Sequence, residues 1–454
     1  MNYGKCLTAM SKSLAVAAVT MGLAASSFGA GQETVLHTFV NQADGSGPGG
    51  GLTFDTKGNL FGTTASSGTG EAIDGTVFEL TPKASGGFTF RTIHTFSQAT
   101  GDGANPGSAV VLDAEGNLYG TAPNGGDGCG IVYELSPTKS GKWKENILHK
   151  FDSNGMDGCN PSGRLIFDQA GNLFGGTFNG GGGISNLFCN NGCGTTYKLH
   201  LANGKWTETV LHRFTGKGTD GWNPSGSLAF DKAGNLWGAT FLGGVGKSST
   251  CGGTNGAGFC GTVFELTPNA NGTWTESTLY SFVDASTGWN SFSGLILDQA
   301  GDLIGTTENG GSALQGTVFK ITPKGKGKVE ESLIHEFAGE ADGAFPNSGL
   351  TPDAAGVLYG VVSNGGGTAF TCFENSGGGC GIVYKLAPNS DGTWTETILY
   401  SFLGGADGAE PGDDRLAFDA NGDIFGSAGS GGDFNAGCPG NVPGGCGVVF
   451  KVKP

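Results

Sequence analysis

The sequence predicts an all-β fold, a seven-bladed β-propeller with four antiparallel strands per blade. Three observations carry that expectation. The phrase "GNLFGTT" at 58–64 returns in seven copies, beginning at Gly58, Gly116, Gly171, Gly234, Gly301, Gly356 and Gly422, at spacings of 55 to 67 residues. Each copy sits among four short runs rich in Val, Ile, Phe, Tyr and Trp, with turn residues between them. Finally, "ETVLHTF" (33–39) matches the fourth run of a blade, whereas the chain finishes on "GVVFKVKP" (447–454), which matches the third. A strand at 33–39 pairing with 447–453 would complete the seventh blade, close the ring and leave few open edges.

Taken in chain order, residues 1–30 read as a signal peptide. Lys5 and Lys12 give a basic start, "SLAVAAVTMGLAASS" an apolar stretch, and Ser26–Ala30 a small-residue cleavage site. The alternative, a short membrane anchor, needs a longer apolar segment, and no later stretch supplies one. Residues 31–454 then form a single propeller domain. In the second copy, "SAVVLD" (108–113) is the first strand, closed by the turn "AEGN". "NLYGTA" (117–122) is the second strand, and "PNGGDGCG" is a glycine loop. "GIVYELSP" (130–137) is the third strand, residues 143–151 are the fourth, and "DSNGMDGCNP" leads into the next blade. The 90 glycines are punctuation between strands, because apolar clusters recur throughout the 454 residues and no segment keeps a helical period.

The phrases "GNLYGT", "NGG", "GTVFELTP" and the "DGxNP" loop resemble those of the choice-of-anchor tandem repeat GloVer-containing proteins, a family of secreted bacterial repeat proteins. The resemblance spans 33–454. It implies export and a repeat fold, with no established activity. Many such proteins carry a C-terminal anchoring segment. This sequence departs there, since nothing of that kind follows Pro454, so the resemblance does not carry envelope attachment over to it.

Eleven cysteines are present, and Cys6 lies in the leader. The ten others are an even number in a chain expected to be exported, which favours disulfides. Cys129, Cys193, Cys260, Cys380 and Cys446 share one position just before the third strand. Cys189, Cys251, Cys372 and Cys438 lie earlier in the same loops, and each is paired with its local partner. Cys159 remains for Cys129, on the same face in the adjacent blade. Sulfur ligation of a metal is the rival reading, but the spacings vary and no histidine lies beside them.

The formal charge is −16, and loss of 1–30, which holds Lys5, Lys12 and no acid, takes it to −18. That sign disfavours nucleic acid and anionic lipid as partners and keeps the protein soluble. No membrane insertion, no cofactor and a monomer are expected.

A residue repeated in every blade most simply supports the blade, so a residue that breaks the pattern is the better functional candidate. His37, His94, His149, His212 and His335 fill one slot in the fourth strand, with Tyr280 and Tyr400 in the other two blades. Asp44, Asp102, Asp157, Asp220, Asp342 and Asp407 each start a "DG" in the lead-in loop, with Asp284 in the remaining copy. They would form an acidic ring, read either as Asx-type turns or as acceptors for a cation or sugar hydroxyls. Asp157, Asp220 and Asp342 are carried forward as ligand candidates. Asp55, Asp113, Asp168, Asp231, Asp298, Asp353 and Asp419 look like turn residues on the other face. Trp222 and Trp289 break the lead-in pattern, where the other copies hold Ser46, Ala104, Cys159, Ala344 and Ala409. Asn223 and Asn290 follow them directly. An indole beside an amide suits a sugar, with the ring on the C–H face and the amide on hydroxyls. The alternative is packing beneath long loops such as 241–260. No catalytic or metal-binding residue is assigned.

The expected function is an exported binding module that recognises a polysaccharide or glycan through one face, in a secreted, periplasmic or cell-surface location. Two alternatives stay open: an extracellular polysaccharide- or lactone-cleaving enzyme on the same scaffold, and a structural envelope protein without catalysis.

Overall fold

The computed structural model describes residues 32–454 apart from 41–43, 67–73, 153, 183–188, 190–191, 247–250, 252–259, 326, 368–371, 373–378, 413, 435–437 and 439–444. The leader at 1–30 lies outside the described residues. The described residues form seven antiparallel blade sheets in a ring, one for each copy of the phrase, and one separate two-stranded pairing. In blade three the strands are Gly158–Phe167, Leu173–Gly180, Thr195–Ala202 and Lys205–Arg213, paired in that order from the axis outward. The only helical elements among the described residues are the single 3-10 turns Gln98–Thr100 and Glu340–Asp342.

Closure occurs where the two ends of the chain meet. Glu33–Thr38 pairs antiparallel with Val448–Val452, from Glu33 opposite Val452 to Thr38 opposite Val448, with one irregularity between Val35 and His37. The seam continues past the strand, since Phe39 N donates to Gly447 O at 3.0 Å. Seven core clusters match the seven seams. The one across the closure holds Leu52, Leu60 and Phe78 of blade one with Phe39, Phe425 and Val449 of blade seven. Burying each sheet face against its neighbour is the main source of stability, at about 25 cal/mol per Å² of apolar surface.

The repeated phrase has a mechanical explanation. Asp55 Oδ1 accepts the N–H groups of Lys57 and Asn59 at 2.8 Å each, and Gly58 takes φ +82°, which reverses the chain. The phrase's second glycine makes room for an aromatic ring. A Cβ at Gly62 would lie 2.5 Å from the Phe78 ring, and one at Gly238 would lie 2.4 Å from Phe264. The third-strand aromatics Phe78, Tyr133, Tyr197, Phe264, Phe319 and Tyr384 fill these spaces and are fully buried.

First strands are more irregular than the sequence suggests. "SAVVLD" contributes only Val111–Leu112 to the inner sheet, while Gly103–Ala104 pairs separately with Asn124–Gly125. The lead-in loops bend inward to meet around the axis, and the glycines there allow backbone to touch backbone. A Cβ at Gly163 would sit 2.1 Å from Gly226 O.

All five disulfides are present. Four close local loops, Cys189–Cys193, Cys251–Cys260, Cys372–Cys380 and Cys438–Cys446, and Cys129–Cys159 joins blades two and three. Among the described residues no helix is long and apolar enough to cross a membrane.

Candidate functional site

The tryptophans selected from the sequence serve the core. Trp222 is 3% exposed and packs with Cys189, Cys193 and Phe214. Trp289 lies partly buried against a different cluster that contains Cys251 and Cys260. Each indole thus fills space beside a disulfide-pinned loop, and the reading of these two rings as a shared sugar platform does not fit their surroundings. The following amides are also committed. Asn223 and Asn290 sit at φ +54° and +59°, a region Asn tolerates better than most residues. Asn223 Nδ2 donates to Phe178 O at 2.6 Å and Asn290 Nδ2 to Phe241 O at 3.1 Å, each reaching the preceding blade. Asn105 and Asn160 make the same bonds to Ala65 O and Pro123 O. This position is a fastener between blades.

The lead-in aspartates join the fourth-strand histidines, a partnership the sequence reading missed. Asp102 Oδ2 lies 3.2 Å from His94 Nε2, Asp157 Oδ2 lies 3.1 Å from His149 Nε2, and Asp220 Oδ1 lies 3.4 Å from His212 Nε2. Asp342 lies 3.5 Å from His335, and Tyr400 donates to Asp407 at 3.0 Å. Asp157, Asp220 and Asp342 also accept backbone N–H groups from Asp152, Thr215 and Ala338 of their own loops. They stand one per blade at separate seams, so the ring does not converge on one ligand.

A third group completes each cluster from the next blade. Glu145, Glu208, Glu276 and Glu396 approach the pairs His94–Asp102, His149–Asp157, His212–Asp220 and His335–Asp342, with one ligand atom from each residue within 4.8 Å of the others. One imidazole and two carboxylates are donors of the right kind for a divalent cation. A shared proton satisfies the same groups. Burial and then the adjacent Asp102 push Glu145 up to about 8, and burial and Asp342 push Glu396 up to about 9. Burial works against ionisation of Asp342 as well, but hydrogen bonds from His335 and Glu396 hold it down at about 2. Glu145 and Glu396 therefore hold their protons beside Asp102 and Asp342, while burial also raises Glu208 and Glu276. The sequence signal was the fixed place of this Glu two residues after the Trp that opens the fourth strand. In blade one Phe90 takes that place and stacks on His37 at 3.8 Å between centroids.

The departures from the repeat gather at the axis. On the lead-in face, a recess of about 230 Å³ is lined by Ser108, Ser162, Ser225, Ser293, Asn347 and Asp414, with the rings of Phe178 and Phe292 in its wall. Phe178, Phe241 and Phe292 form an arc over blades three to five, with Phe241 edge-on to Phe292 at 5.4 Å and 6.3 Å from Phe178. Phe292 is 45% exposed, unusual for a residue of its size. Blades one, two, six and seven place Ala65, Pro123, Ser363 and Gly429 where Phe178 and Phe241 stand. The same comparison of copies that selected Trp222 would have found these rings.

Below the recess the axis is bridged by polar groups. Ser227 Oγ donates to Asp414 Oδ1 at 2.8 Å, linking blade four to blade seven, and Arg415 Nη2 donates to Leu295 O at 2.9 Å, reaching blade five. These contacts separate the upper recess from a second one on the opposite face, of about 450 Å³, which Arg164 and Arg415 line.

Comparison with known proteins identifies the repeat family. The profile of the Gloeobacter/Verrucomicrobia repeat matches residues 22–251 and 182–439. No curated protein sequence matches. Among solved structures, a gluconolactonase from Xanthomonas campestris is similar at 12% identity and TM-score 0.38, over 75% of this chain and 83% of that one. A Thermus thermophilus protein whose structure is titled "putative oxidoreductase (glucose dehydrogenase)" matches at 12% identity and TM-score 0.43, over 93% of this chain and 99% of that one. A puromycin-hydrolyzing peptidase from Mycobacterium tuberculosis matches at 10% identity and TM-score 0.49, over 88% of this chain and 52% of that one. At these values the likenesses carry no functional argument.

Proposed function

This chain belongs to the Gloeobacter/Verrucomicrobia repeat family, and we propose that it is an exported glycan-binding propeller whose site is the axial recess of the lead-in face. The supporting observation is the composition of that recess: serine hydroxyls, one amide and one carboxylate around an opening whose wall holds Phe178 and Phe292. Hydroxyls, amides and carboxylates satisfy sugar hydroxyls, and an exposed aromatic ring covers an apolar sugar face. The recess is small beside a typical drug-sized pocket. That suits one residue of a saccharide chain lying across the mouth. Export is supported by the five disulfides, which persist in oxidising compartments, and by the leader pattern of 1–30.

Glycoside cleavage by the usual route needs two carboxyl groups facing each other across the substrate. Among the described residues Asp414 is the single carboxylate lining this recess, which favours binding over hydrolysis. Affinity electrophoresis against a panel of plant and bacterial polysaccharides tests the reading. At least one polysaccharide should retard the wild-type protein, and Phe292→Ala should remove the retardation while the fold persists. No retardation across the panel, or equal retardation of the variant, would refute it.

A further inference from the structure

We propose that the opposite mouth of the axis is a second, independent site that binds an organic oxyanion between Arg164 and Arg415. The residue just before the buried Leu of each first strand, Val110 in blade two, is Gly51, Ala109, Arg164, Ser227, Gly294, Gly349 and Arg415 in chain order. Five blades thus close the ring with a small residue, and two place a guanidinium on the axis. Both side chains line the lower recess, together with Thr53 and Ser227.

The charges there are only partly balanced from within. Arg415 spends one nitrogen on Leu295 O, and its buried Nε has no hydrogen-bond partner among the described residues. Arg164 forms no ion pair among them. Asp414 is the adjacent acid, but its Oδ1 accepts from Ser227 and its carboxylate lines the upper recess. Burial lowers the pKa of Arg415, the neighbouring Asp414 charge raises it in part, and Arg164 lowers it again, so two guanidinium charges share one carboxylate in a poorly solvated place. Such an arrangement is costly unless an anion compensates it. Guanidinium forks match the geometry of carboxylates and phosphates.

The remaining wall defines the rest of the ligand. Phe54, Val111, Leu112, Ile166 and Phe167 also line the recess and can meet the organic body of such a ligand. The net charge of −16 repels anions from the rest of the molecule, so binding here depends on this local pair.

Calorimetric titration of the full chain with phenyl phosphate, benzoate and inorganic phosphate is the test. Wild type should bind phenyl phosphate or benzoate at one site per chain, more tightly than inorganic phosphate and less tightly as salt is raised. Arg164→Gln should weaken binding at least tenfold. Arg164→Lys, which keeps the charge without the fork, should weaken it several-fold, so the proposal stays testable if the Gln variant does not fold. Phe292→Ala should leave anion binding unchanged, which separates this site from the glycan recess. Absence of binding of both organic anions to wild type, or equal binding by the Arg164 variants, would overturn the proposal.

Discussion

The blade seams and the axis are built on opposite rules. At the seams the same parts recur: a His or Tyr, an Asp from the lead-in loop, and in most blades a Glu from the next fourth strand. At the axis, copies differ: small residues close the ring in five blades and Arg164 and Arg415 intrude in two, while Phe178, Phe241 and Phe292 crowd one side of the upper mouth. The comparison teaches that repetition marks what every blade needs in order to pack, and departure from it marks what the ring needs once. Perturbed carboxyls are therefore not themselves a guide to function here, since the largest shifts fall on the repeated seams.

The comparison can be broken most severely at the closure. Deleting 32–39 removes the outer strand of blade seven and Phe39 from its core, and the chain should lose cooperative unfolding altogether in differential scanning calorimetry. A well-defined transition near that of the wild type would show that the ring does not depend on joining its ends. The next largest effect concerns the bridge between blades. In the chain-entropy estimate, losing Cys129–Cys159, which spans 30 residues, should cost about 3–4 kcal/mol. Losing Cys189–Cys193, which spans 4, should cost about 2 kcal/mol. Denaturant midpoints of the two double Ser variants measure the difference, and equal losses would contradict it.

A smaller effect should appear with pH. Glu145 and Glu396 keep their protons up to about 8 and 9 in the folded chain, far above the ordinary 4.5 of an unfolded glutamate. The folded state binds more protons, so the stability these groups contribute is full below about 4.5 and is lost as pH rises through about 8 and 9. Asp342 acts in the other direction, its contribution present above 3.8 and lost as pH falls toward about 2. Melting temperature should thus decline from mildly acid to alkaline pH, and Glu145→Gln with Glu396→Gln should flatten that decline. An unchanged slope would argue that the seams hold a cation in place of a proton, and added Zn²⁺ or Mn²⁺ should then raise the melting temperature. The smallest stability effect is expected at the aromatic arc. Phe292→Ala removes a ring that is 45% exposed and should cost less than about 1 kcal/mol.

Much of the fold was legible because its causes are local. The turn at Asp55, Gly58 and Asn59 and the glycine that admits Phe78 are written within one phrase, and the overhang at 33–39 states how the ring closes. Cysteine positions sufficed for pairing because partners share a loop or adjacent loops. The site was less legible because its causes are not local. Whether Trp222 meets solvent depends on the loop folded beside it, which neither its own repeat nor its neighbour Asn223 records. Glu145 reaches Asp102 across 43 residues and a blade boundary, so neither partner announces the other. First strands were hardest to read. The register of Gly158–Phe167 shifts between Ser162 and Ile166, so alternation fails where Arg164 turns to the axis.

If ligands meet the departures and not the repeats, one titration shows it. A polysaccharide fragment that the wild-type protein retains should be titrated into Phe292→Ala and Glu396→Gln by isothermal calorimetry. The claim requires at least a tenfold loss of affinity, about 1.4 kcal/mol, for Phe292→Ala and none for Glu396→Gln. Retained affinity in the first variant with a loss in the second would contradict it.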